Sequence, residues 1–588
     1  MLPSNLQPTA QIIVLDAGGQ YCHLIARKVR DLGVYAEVRP SETPAEELAG
    51  ARGLIISGGP SSVYDPGSPT VDPRIFEGGQ AVLGICYGQQ VMAHLLGGEV
   101  QRGDKGEYGM AMLDLEASED PLFAGLAGRQ QIWMNHRDVV GALPEGFRLV
   151  GRTATCGVAA MAAPARRLYA VQFHPEVVHT TRGRDYLANF VFRVCQCCPD
   201  WDPRGRVAEI EAEIRECVGA RNVFFFVSGG VDSTVAFALT RRALGAARVR
   251  GVYVDTGLMR EGETDFVRRM EGVAVEDASG QFLAALEGVT DPERKRHIIG
   301  EEFVRVEERV IEARHLLDEH WILGQGTIYP DTIESGGTDK AAVIKTHHNR
   351  VAGIRKLMEC GRIVEPLKSL YKDEVREVGR QLDLPEELLE RHPFPGPGLA
   401  IRCLCSEVEA PVEAGADGWI LPVRSVGVLG DARSYASVLA IEPSGGMDQA
   451  REQATELVNR LRGVNRVVAG MALRAPVGGM RVRVCALTPG RLGLLRRADA
   501  LVRRLCHDSG YDREVWQFPV ILIPLGTDQA RESVVLRPVH SVDGMTAQSA
   551  AMDAALGERI CAELMALPEV AAVFYDLTHK PPGTIEWE

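Results

Sequence analysis

The sequence lacks the features that mark membrane proteins and general nucleic-acid binders. No apolar run approaches the ~18 residues that a membrane-spanning helix needs, and Met1–Gln11 has neither the charged nor the apolar segment of a signal peptide. Positive charge is in deficit: 65 Lys and Arg residues stand against 79 Asp and Glu residues, a net charge of −14. This balance argues against general binding of nucleic acid or anionic membranes. We expect a cytosolic protein whose basic sites are local.

The cysteines show no zinc spacing and no regular disulfide framework. Their number is odd, 13 in 588 residues, which predicts reduced thiols in a reducing compartment. The densest cluster, Cys195, Cys197 and Cys198, has no second Cys/His pair nearby, so we interpret it as incidental rather than as a metal site. At one domain per ~150 residues the length predicts about four domains, and an enzyme of several α/β domains is the default class.

A glycine loop in the middle of the chain lacks the lysine of a Walker A motif. Asn222–Ser233 is a short apolar run that breaks at Gly229-Gly230 and enters the helix-forming run Thr234–Leu244. A strand, a tight loop and a helix N-terminus together bind phosphate, because glycines admit close approach and the helix start offers free N–H groups. Since no Gly-Lys-Ser/Thr closes the loop, a different nucleotide chemistry is indicated. The alternative for a bare glycine pair is a simple turn with a helix cap.

The hexapeptide of this loop resembles the signature of the ATP pyrophosphatases, which cut ATP between its α- and β-phosphates and transfer AMP to a substrate. The resemblance implies that the loop holds the leaving pyrophosphate and that adenine lies near Val254, at the end of the predicted strand Arg248–Val254. The implied ATP-binding residues are Ser228, Gly229, Gly230, Val231, Asp232, Ser233 and Val254.

Short apolar runs organise the first segment. Ile12–Leu15, Leu54–Ile56 and Ala81–Ile85 alternate with helix-like stretches such as His23–Asp31, which predicts a parallel sheet with helices on its faces. The third run ends in Cys86 and passes into the predicted helix Gln89–Leu96. Cys86 is therefore predicted to lie on a sharp strand-to-helix turn, where the helix N-terminus favours a thiolate.

A thiol in this position needs a base and an oxyanion site. The predicted strand Leu168–Phe173 delivers His174 to the same sheet edge, and Glu176 follows as the group that would orient the imidazole. Backbone N–H groups of Gly59 and Tyr87 could hold the oxyanion of a tetrahedral intermediate. A lone histidine after a strand is most often structural, so the prediction depends on the combination.

The combination resembles class I glutamine amidotransferases. The resemblance is carried by Asp16–Tyr21, the turn at Gly59, Gly84–Gly88, and Phe173-His174-Pro175-Glu176. It implies a glutaminase in which Cys86 attacks the glutamine amide, His174 carries the proton to the leaving ammonia, and water hydrolyses the glutamyl thioester. The resemblance also implies glutamine contacts from Gln90, His136 and Asp138, although Asn135 and Arg137 stand where Ser and Gly are expected.

The middle segment offers further candidates. The basic cluster Arg294–His297 precedes a predicted helix, Glu301–Leu316, and is either a solvated helix start or a clamp for an anionic substrate. Neither Leu323–Asp331 nor Lys345–Asn349 shows a metal spacing. The run Arg391–Arg402 holds three prolines and two glycines, which predicts a stiff connector at a domain junction.

The order of motifs from the glycine loop to Arg391–Arg402 is similar to that of the GMP synthetase family, and Lys580–Glu588 matches the same family. The resemblance implies that XMP, ATP and glutamine are the substrates, with adenylation of the XMP C2 oxygen and displacement of AMP by ammonia. Mg²⁺ is implied by the phosphates, but its ligands are unknown from the sequence.

The last segment contains an internal repeat. Ile420–Val423 opens a stretch that runs through Ala436–Ile441 to Gly463–Val468, and Val520–Pro524 opens a second stretch of the same plan through Ser533–Leu536, a helix Ala551–Leu564 and Val570–Tyr575. Two copies of one α/β unit are therefore predicted. Because a duplicated contact unit can pair internally as a pseudo-dimer, we expect a monomer. By family resemblance, the XMP site comprises Arg296, Asp431, Gln517, Lys580, Ile585 and Glu586.

The predicted fold class is α/β throughout, in four parts. They are a class I glutamine amidotransferase domain (1–203), an ATP pyrophosphatase domain of the adenine nucleotide α-hydrolase type (204–402), and two small C-terminal α/β subdomains (403–515 and 516–588). One alternative is another ammonia-using adenylating synthetase, such as NAD synthetase. A second, from another class, is a non-catalytic partner protein that binds glutamine or nucleotide.

Overall fold

The computed structural model describes most of the chain in two compact units. The described residues are 10–19, 21–102, 107–115, 120–126, 128–177, 179–334, 354, 357–358, 360–429, 432–443, 446–461, 463–541, 547–580 and 582–588. The first unit consists of the described residues within 1–213, 328–342 and 368–377, and the second of those in the rest of the chain. The four predicted domain boundaries stay predictions. No helix of the described residues is long and apolar enough to span a membrane.

A nine-stranded mixed sheet forms the first unit. Its strands, in spatial order, are Ala36–Pro40, Ile12–Asp16, Gly53–Ile56, Ala81–Ile85, Leu168–Val171, Ala160–Ala163, Arg148–Arg152, Glu107–Leu115 and Arg129–His136. The first five run parallel and the last four pair antiparallel. The strands predicted from apolar runs are central in this order and fully buried, as expected for a sheet covered on both faces.

Helices and one small hairpin complete this unit. Cys22–Arg30 buries Cys22, Ile25, Ala26 and Val29 against the sheet, and Tyr87–Leu95 packs over the strand Ala81–Ile85. The strands Glu99–Gln101 and Val139–Ala142 pair separately. The remaining helices within the unit are Ala45–Leu48, Gly183–Ala188 (continued as a π-helix over Asn189–Val194), Tyr329–Glu334 and the 3₁₀ turns Pro73–Phe76, Pro121–Phe123 and Pro164–Arg166.

A five-stranded parallel sheet opens the second unit. Its spatial order is Val273–Asp277, Val249–Asp255, Asn222–Phe226, Trp321–Gly324 and Ile363–Val364. The chain leaves Asn222–Phe226 toward one side of the sheet and later returns on the other side, so a topological switch point lies between this strand and Trp321–Gly324. Ligands of open parallel sheets bind at such points, beyond the carboxyl ends of the strands.

The helices around this sheet correct one sequence-based prediction. The helix expected at Glu301–Leu316 begins earlier and spans Pro292–Ala313, so the basic cluster Arg294–His297 lies inside its first turns. Asp291 caps the helix by accepting from the Arg294 N–H at 2.8 Å, and Pro292 occupies the first helical position. The other helices of 204–402 are Val207–Val218, Val231–Leu244, Glu263–Arg268, Ser279–Ala285, Lys372–Gln381 and Glu386–Leu389, with 3₁₀ turns at Ala246–Arg248 and Gly398–Ile401.

The C-terminal sheet contains two β-β-α-β copies whose strand orders run in opposite directions across the sheet. Its strands, in spatial order, are Glu413–Gly415, Gly418–Leu429, Ala432–Ile441, Val464–Leu473, Val570–Asp576, Glu532–Leu536 and Val520–Ile523. In each copy an antiparallel pair is followed by a helix, Met447–Arg460 or Ala554–Met565, and a third strand parallel to the second. The third strands of the two copies pair antiparallel at the centre. The predicted repeat is thus one continuous sheet.

A long helix that the sequence analysis did not identify joins the two copies. Pro489–Ser509 begins after the cap Thr488, with proline at the first position, and ends at Gly510 in the left-handed conformation. Its buried Leu495, Ala498 and Val502 belong to the same core as both copies of the repeat. Short pairings complete the unit: Ala410–Pro411, Arg481–Val482 and Leu525–Gly526 form one small sheet, and Val539–His540 pairs with Gln548–Ser549.

Candidate active site

Cys86 lies on a strained turn between a central strand and a helix. It follows the strand Ala81–Ile85, caps the helix Tyr87–Leu95, and has φ 53° and ψ −108°, a conformation that a non-glycine residue adopts only under tertiary constraint. The Cys86 N–H donates to the Val171 carbonyl at 2.8 Å, and its Sγ lies 3.5 Å from the Asn135 carbonyl oxygen. The turn therefore holds the thiol at the carboxyl edge of the sheet.

His174 reaches the same edge and is oriented by Glu176. Its Nδ1 is 2.7 Å from Glu176 Oε1, and both side chains are almost completely buried. A Cβ placed on Gly58 would lie 3.0 Å from His174 Cε1 and 3.5 Å from Cys86 Cβ, so glycine allows imidazole and thiol to meet across this turn. Burial lowers the pKa of His174, but Glu176 and Cys86 outweigh it and hold that pKa well above its usual value.

The turn at Gly59 lies beside the start of the cysteine helix. A Cβ on Gly59 would come within 2.4 Å of the Ala17 carbonyl oxygen and 3.3 Å of Tyr87 Cδ1, so this position requires glycine. The turn is fastened by Ser57, whose hydroxyl accepts from the Ala17 N–H at 2.9 Å. The backbone N–H groups of Gly59 and Tyr87 thus belong to adjacent turns next to the thiol, as an oxyanion site requires.

The three residues expected to contact glutamine also surround this turn. The Gln90 amide donates to the Asp138 carbonyl at 2.7 Å, and the Asp138 carboxylate accepts from the Ser62 hydroxyl at 2.5 Å. His136 Nε2 lies 3.4 Å from Glu107 Oε2. Burial lowers the pKa of His136, and Glu107 only partly opposes this. The imidazole is therefore neutral near pH 7.

The glycine loop of the second unit forms the predicted strand–turn–helix. The strand Asn222–Phe226 ends at the loop, Gly229 has φ +78°, and Gly230 caps the helix Val231–Leu244. Ser228 Oγ and Ser233 Oγ lie 2.9 Å apart, and Ser228 Oγ also accepts from the Gly230 N–H at 3.3 Å. The two hydroxyls and the helix start face the same space, which suits an anion.

Two neighbouring strands complete this edge. Gly326 follows the strand Trp321–Gly324, and a Cβ there would lie 2.9 Å from Ser233 Cα, so a second glycine loop packs against the first. Val254 lies in the adjacent strand Val249–Asp255 and is nearly buried. The ATP-binding candidates of the sequence analysis therefore gather at the switch point of the sheet.

The connector Arg391–Arg402 ties this loop to candidates from the last segment. Arg391 Nη1 donates to the Gly229 carbonyl at 3.3 Å, and the Pro393 carbonyl accepts from the Gln517 amide at 2.8 Å. Arg402 is fully buried and forms a two-point contact with Glu586, Nε to Oε2 at 2.8 Å and Nη2 to Oε1 at 2.6 Å. Burial raises the pKa of Glu586, but Arg402 outweighs it and lowers that pKa below its usual value.

The first turns of the helix Pro292–Ala313 meet the same segment. Arg296 donates to the Glu588 carbonyl, and Lys295 Nζ lies 2.6 Å from Glu588 Oε2 with both side chains buried. Burial lowers the pKa of Lys295, but Glu588 outweighs it and raises that pKa. The structure thus brings Arg296, Gln517 and Glu586 into one network of contacts.

The other expected XMP-binding residues lie on the strand-like tail before Glu586. The Ile585 carbonyl accepts from Arg537 Nε at 3.0 Å. Lys580 pairs through its backbone with Ala547, with N···O distances of 2.7 and 3.1 Å. Asp431 lies outside the described residues, as do Gln20 of the first motif and Lys345–Asn349.

Several residues of these sites were not identified from the sequence. Ser57 and Thr180 support the thiol site, the latter by donating its hydroxyl to the His174 carbonyl at 2.6 Å. Arg391 and Arg402 connect the second site, and both belong to the connector that was interpreted only as a junction. A fixed arginine at each end of a stiff proline-rich run was the available signal.

Comparisons with known proteins agree with this arrangement. The family of class-I glutamine amidotransferases matches residues 13–194, and the family described as the GMP synthase C-terminal domain matches residues 505–587. A probable glutamine-hydrolysing GMP synthase of Leptospira interrogans is 42% identical over 600 aligned residues, covering 98% of this chain and 99% of the relative. The chain belongs to the family of glutamine-hydrolysing GMP synthases.

Other relatives fit the same family. The GMP synthase of Symbiobacterium thermophilum is 41% identical over 594 residues, covering 98% of this chain and 99% of that protein. A crystal structure of a GMP synthase subunit from Thermoplasma acidophilum matches 32% of this chain and 96% of its own, with 34% identity and a TM-score of 0.29. The α/β fold class with an amidotransferase domain is confirmed. The alternative of NAD synthetase is not favoured.

Proposed function

We propose that the two glycine-turn sites carry the two halves of one reaction. The overall reaction follows from the family: the chain is a glutamine-dependent ligase that makes GMP, with ATP as a substrate. The single observation that carries the division of labour is the pair of strand–turn–helix sites, one with a thiol, imidazole and carboxylate in contact and the other with hydroxyls and backbone N–H groups.

In the first half, Cys86 is the nucleophile of glutamine hydrolysis. Its thiolate attacks the side-chain amide, and the backbone N–H groups of Gly59 and Tyr87 stabilise the oxyanion that forms. His174, kept protonated by Glu176, donates a proton to the leaving ammonia, and then activates the water that hydrolyses the thioester. The glutamine substrate is held by a separate set of side chains. That set comprises Gln90, His136 and Asp138.

In the second half, ATP binds with its β- and γ-phosphates against the loop Ser228–Ser233. Hydroxyls of Ser228 and Ser233 and the N–H groups of Gly229 to Val231 stabilise the pyrophosphate as it leaves, and adenine lies against Val254. AMP is transferred to the C2 oxygen of XMP, and ammonia then displaces it. XMP contacts come from both ends of the unit's sequence: Arg296, Asp431, Gln517, Lys580, Ile585 and Glu586.

Mg²⁺ accompanies ATP in this proposal. No group of three or more His, Cys, Asp or Glu side chains suited to a metal occurs among the described residues, so the phosphates would supply most of the ligands. Asp232, at the first turn of the loop helix, is a carboxylate of the type that Mg²⁺ takes alongside phosphate oxygens. The ion would neutralise charge on the departing pyrophosphate.

One assay tests the proposed reaction. The protein is incubated with ATP, glutamine and either XMP or a deamido-dinucleotide, and the nucleotide products are identified. GMP, AMP, pyrophosphate and glutamate should form only with XMP. Product from the dinucleotide alone would replace this proposal with the NAD synthetase alternative.

We further propose that the chain is a monomer in the cytosol. The support for a monomer is the antiparallel pairing of Val464–Leu473 with Val570–Asp576, which joins the two copies of the repeat within one sheet and occupies the surface that a single copy would use for a partner. Light scattering should give a mass near 64.0 kDa across a wide concentration range, and twice that mass at micromolar concentration would refute the internal pairing. The nucleophilic thiol of Cys86 fits a reducing compartment.

A further inference from the structure

A second reactive-thiol arrangement lies far from Cys86 in the sequence, at Cys405 and Cys485. The segments that carry them are paired: the Ser406 N–H donates to the Cys485 carbonyl at 3.1 Å, and the Cys485 N–H donates to the Ser406 carbonyl at 2.9 Å. The two sulfurs are hydrogen-bonded to each other. Both residues are half-buried, so a small reagent can reach them while the backbone keeps them adjacent.

Cationic side chains face the Cys405 sulfur. Arg491 Nη1 lies 3.7 Å from it, and this guanidinium is fixed by Glu532 through contacts of 2.6 and 2.9 Å. Lys295 also interacts with the sulfur from the helix Pro292–Ala313. One group favours the neutral thiol, the Cys403 carbonyl oxygen at 3.6 Å. Two cations and the Cys485 thiol outnumber it.

These neighbours favour a thiolate at Cys405 and a thiol at Cys485. The hydrogen bond from Cys485 lowers the pKa of Cys405 most, burial opposes this, and Lys295 and Arg491 lower it further. The same hydrogen bond raises the pKa of Cys485, and burial adds to the effect. A thiolate beside a cation, reachable by solvent and next to a second thiol, is the arrangement of an oxidation-sensitive cysteine pair.

We propose that Cys405 and Cys485 form a modification site that reacts with hydroperoxides to give a disulfide. The Cys405 thiolate attacks one oxygen of hydrogen peroxide, the O–O bond breaks, and a sulfenic acid and hydroxide form. Cys485 then attacks the sulfenic sulfur, the S–S bond forms, and the sulfenic oxygen leaves as water with a proton. Two thiols and one peroxide give one disulfide and two waters.

Peptide mapping of the full-length protein tests this proposal. The reduced protein is treated at pH 7 with about one equivalent of hydrogen peroxide, the remaining thiols are alkylated, and the protein is digested with trypsin. The expected product links the peptides 403–424 and 484–491, with fragmentation distinguishing Cys405 from Cys403. It should appear at least tenfold faster than oxidation of Cys198 and Cys360, which are fully exposed.

Two variants assign the roles. In Cys485→Ser the sulfenic acid at Cys405 should persist and be trapped by dimedone, whereas Cys405→Ser should give neither adduct nor cross-link at this site. The buried pair Cys195 and Cys197 is the matched control for proximity without access, and it should stay reduced. Oxidation of Cys198 or Cys360 ahead of Cys405, or a wild-type protein whose Cys405 ends as a sulfenic acid without a cross-link, would overturn the proposal.

Discussion

The turns at Cys86 and at Gly229 use one local design for two kinds of chemistry. Each follows a central parallel strand, places a residue at positive φ, and opens a helix whose N-terminus faces the ligand space. At the first turn the positive-φ residue is a cysteine, although glycine would be unstrained there. At the second it is a glycine, with φ +78°.

The difference follows from what each site must supply. A covalent step needs a side-chain nucleophile at the sharpest point of the turn, so backbone strain is retained there and offset by the buried sheet. Binding a pyrophosphate needs backbone N–H groups at close range, so a residue without a Cβ is best. Strain at a non-glycine turn therefore identifies the site of bond-making chemistry, and a relaxed glycine turn identifies the site of binding.

Replacing the nucleophile should give the largest effect. Cys86→Ala should lower glutamine-dependent GMP formation by roughly 10⁴-fold or more, because the covalent path is lost, while formation from added ammonium should persist. Initial rates with each nitrogen source measure this. Cys156→Ala, which removes a buried thiol of the same unit, is the matched control and should retain both activities. Equal loss with both nitrogen sources in Cys86→Ala would sink the division of labour between the turns.

Changes at the glycine turn should act on the other half-reaction alone. Ser228→Ala or Asp232→Ala should reduce XMP-dependent pyrophosphate release from ATP by roughly 10²- to 10³-fold, since the leaving group loses a hydroxyl donor or its metal is mispositioned. Glutaminase activity should be retained. Ser509→Ala, at the end of a distant helix, controls for loss of a serine hydroxyl. Unchanged pyrophosphate release in both loop variants would mean that the nucleotide binds elsewhere.

The pH dependence should separate the turns further. Glu176 raises the pKa of His174, so the imidazole stays protonated, and able to protonate ammonia, to higher pH. Glu176→Gln removes that negative charge, the pKa of His174 falls, and the basic limb of the glutaminase pH profile should move to lower pH. The maximal rate should fall roughly 10- to 10²-fold. Pyrophosphate release should keep its pH profile, and an unmoved glutaminase limb would contradict the role of Glu176.

Both turns could be predicted from the sequence because their signals are local. Gly84-Ile85-Cys86-Tyr87-Gly88 carries the strand end, the nucleophile and the helix start within five positions, and the sheet order only has to bring His174 to the next strand. The glycine loop is equally compact. The repeat was also predictable, because each copy carries its own apolar runs.

What the sequence did not reveal depends on contacts between distant positions. The bidentate contact of Arg402 with Glu586 joins residues far apart in the chain, and no local pattern specifies it. The helix Pro292–Ala313 was predicted to start too late because its first turns are polar, although Asp291-Pro292 is a capping signal. The helix Pro489–Ser509 was not identified, since its arginines interrupt the apolar periodicity while its buried face is narrow.

The smallest expected effect tests the strain itself. If φ 53° at Cys86 is costly, Cys86→Gly should be more stable than Cys86→Ala, because glycine relieves roughly 1–3 kcal/mol of backbone strain and loses about 0.5–1 kcal/mol through the greater freedom of the unfolded chain. At the other turn the sign reverses. Gly229→Ala should destabilise, since alanine at φ +78° is strained and its Cβ would lie 3.2 Å from Val267 Cγ2. Thermal midpoints of the three variants at one scan rate measure both differences. A Cys86→Gly midpoint at or below that of Cys86→Ala would show that the turn stores no strain, and the contrast between the two sites would then reduce to their side chains.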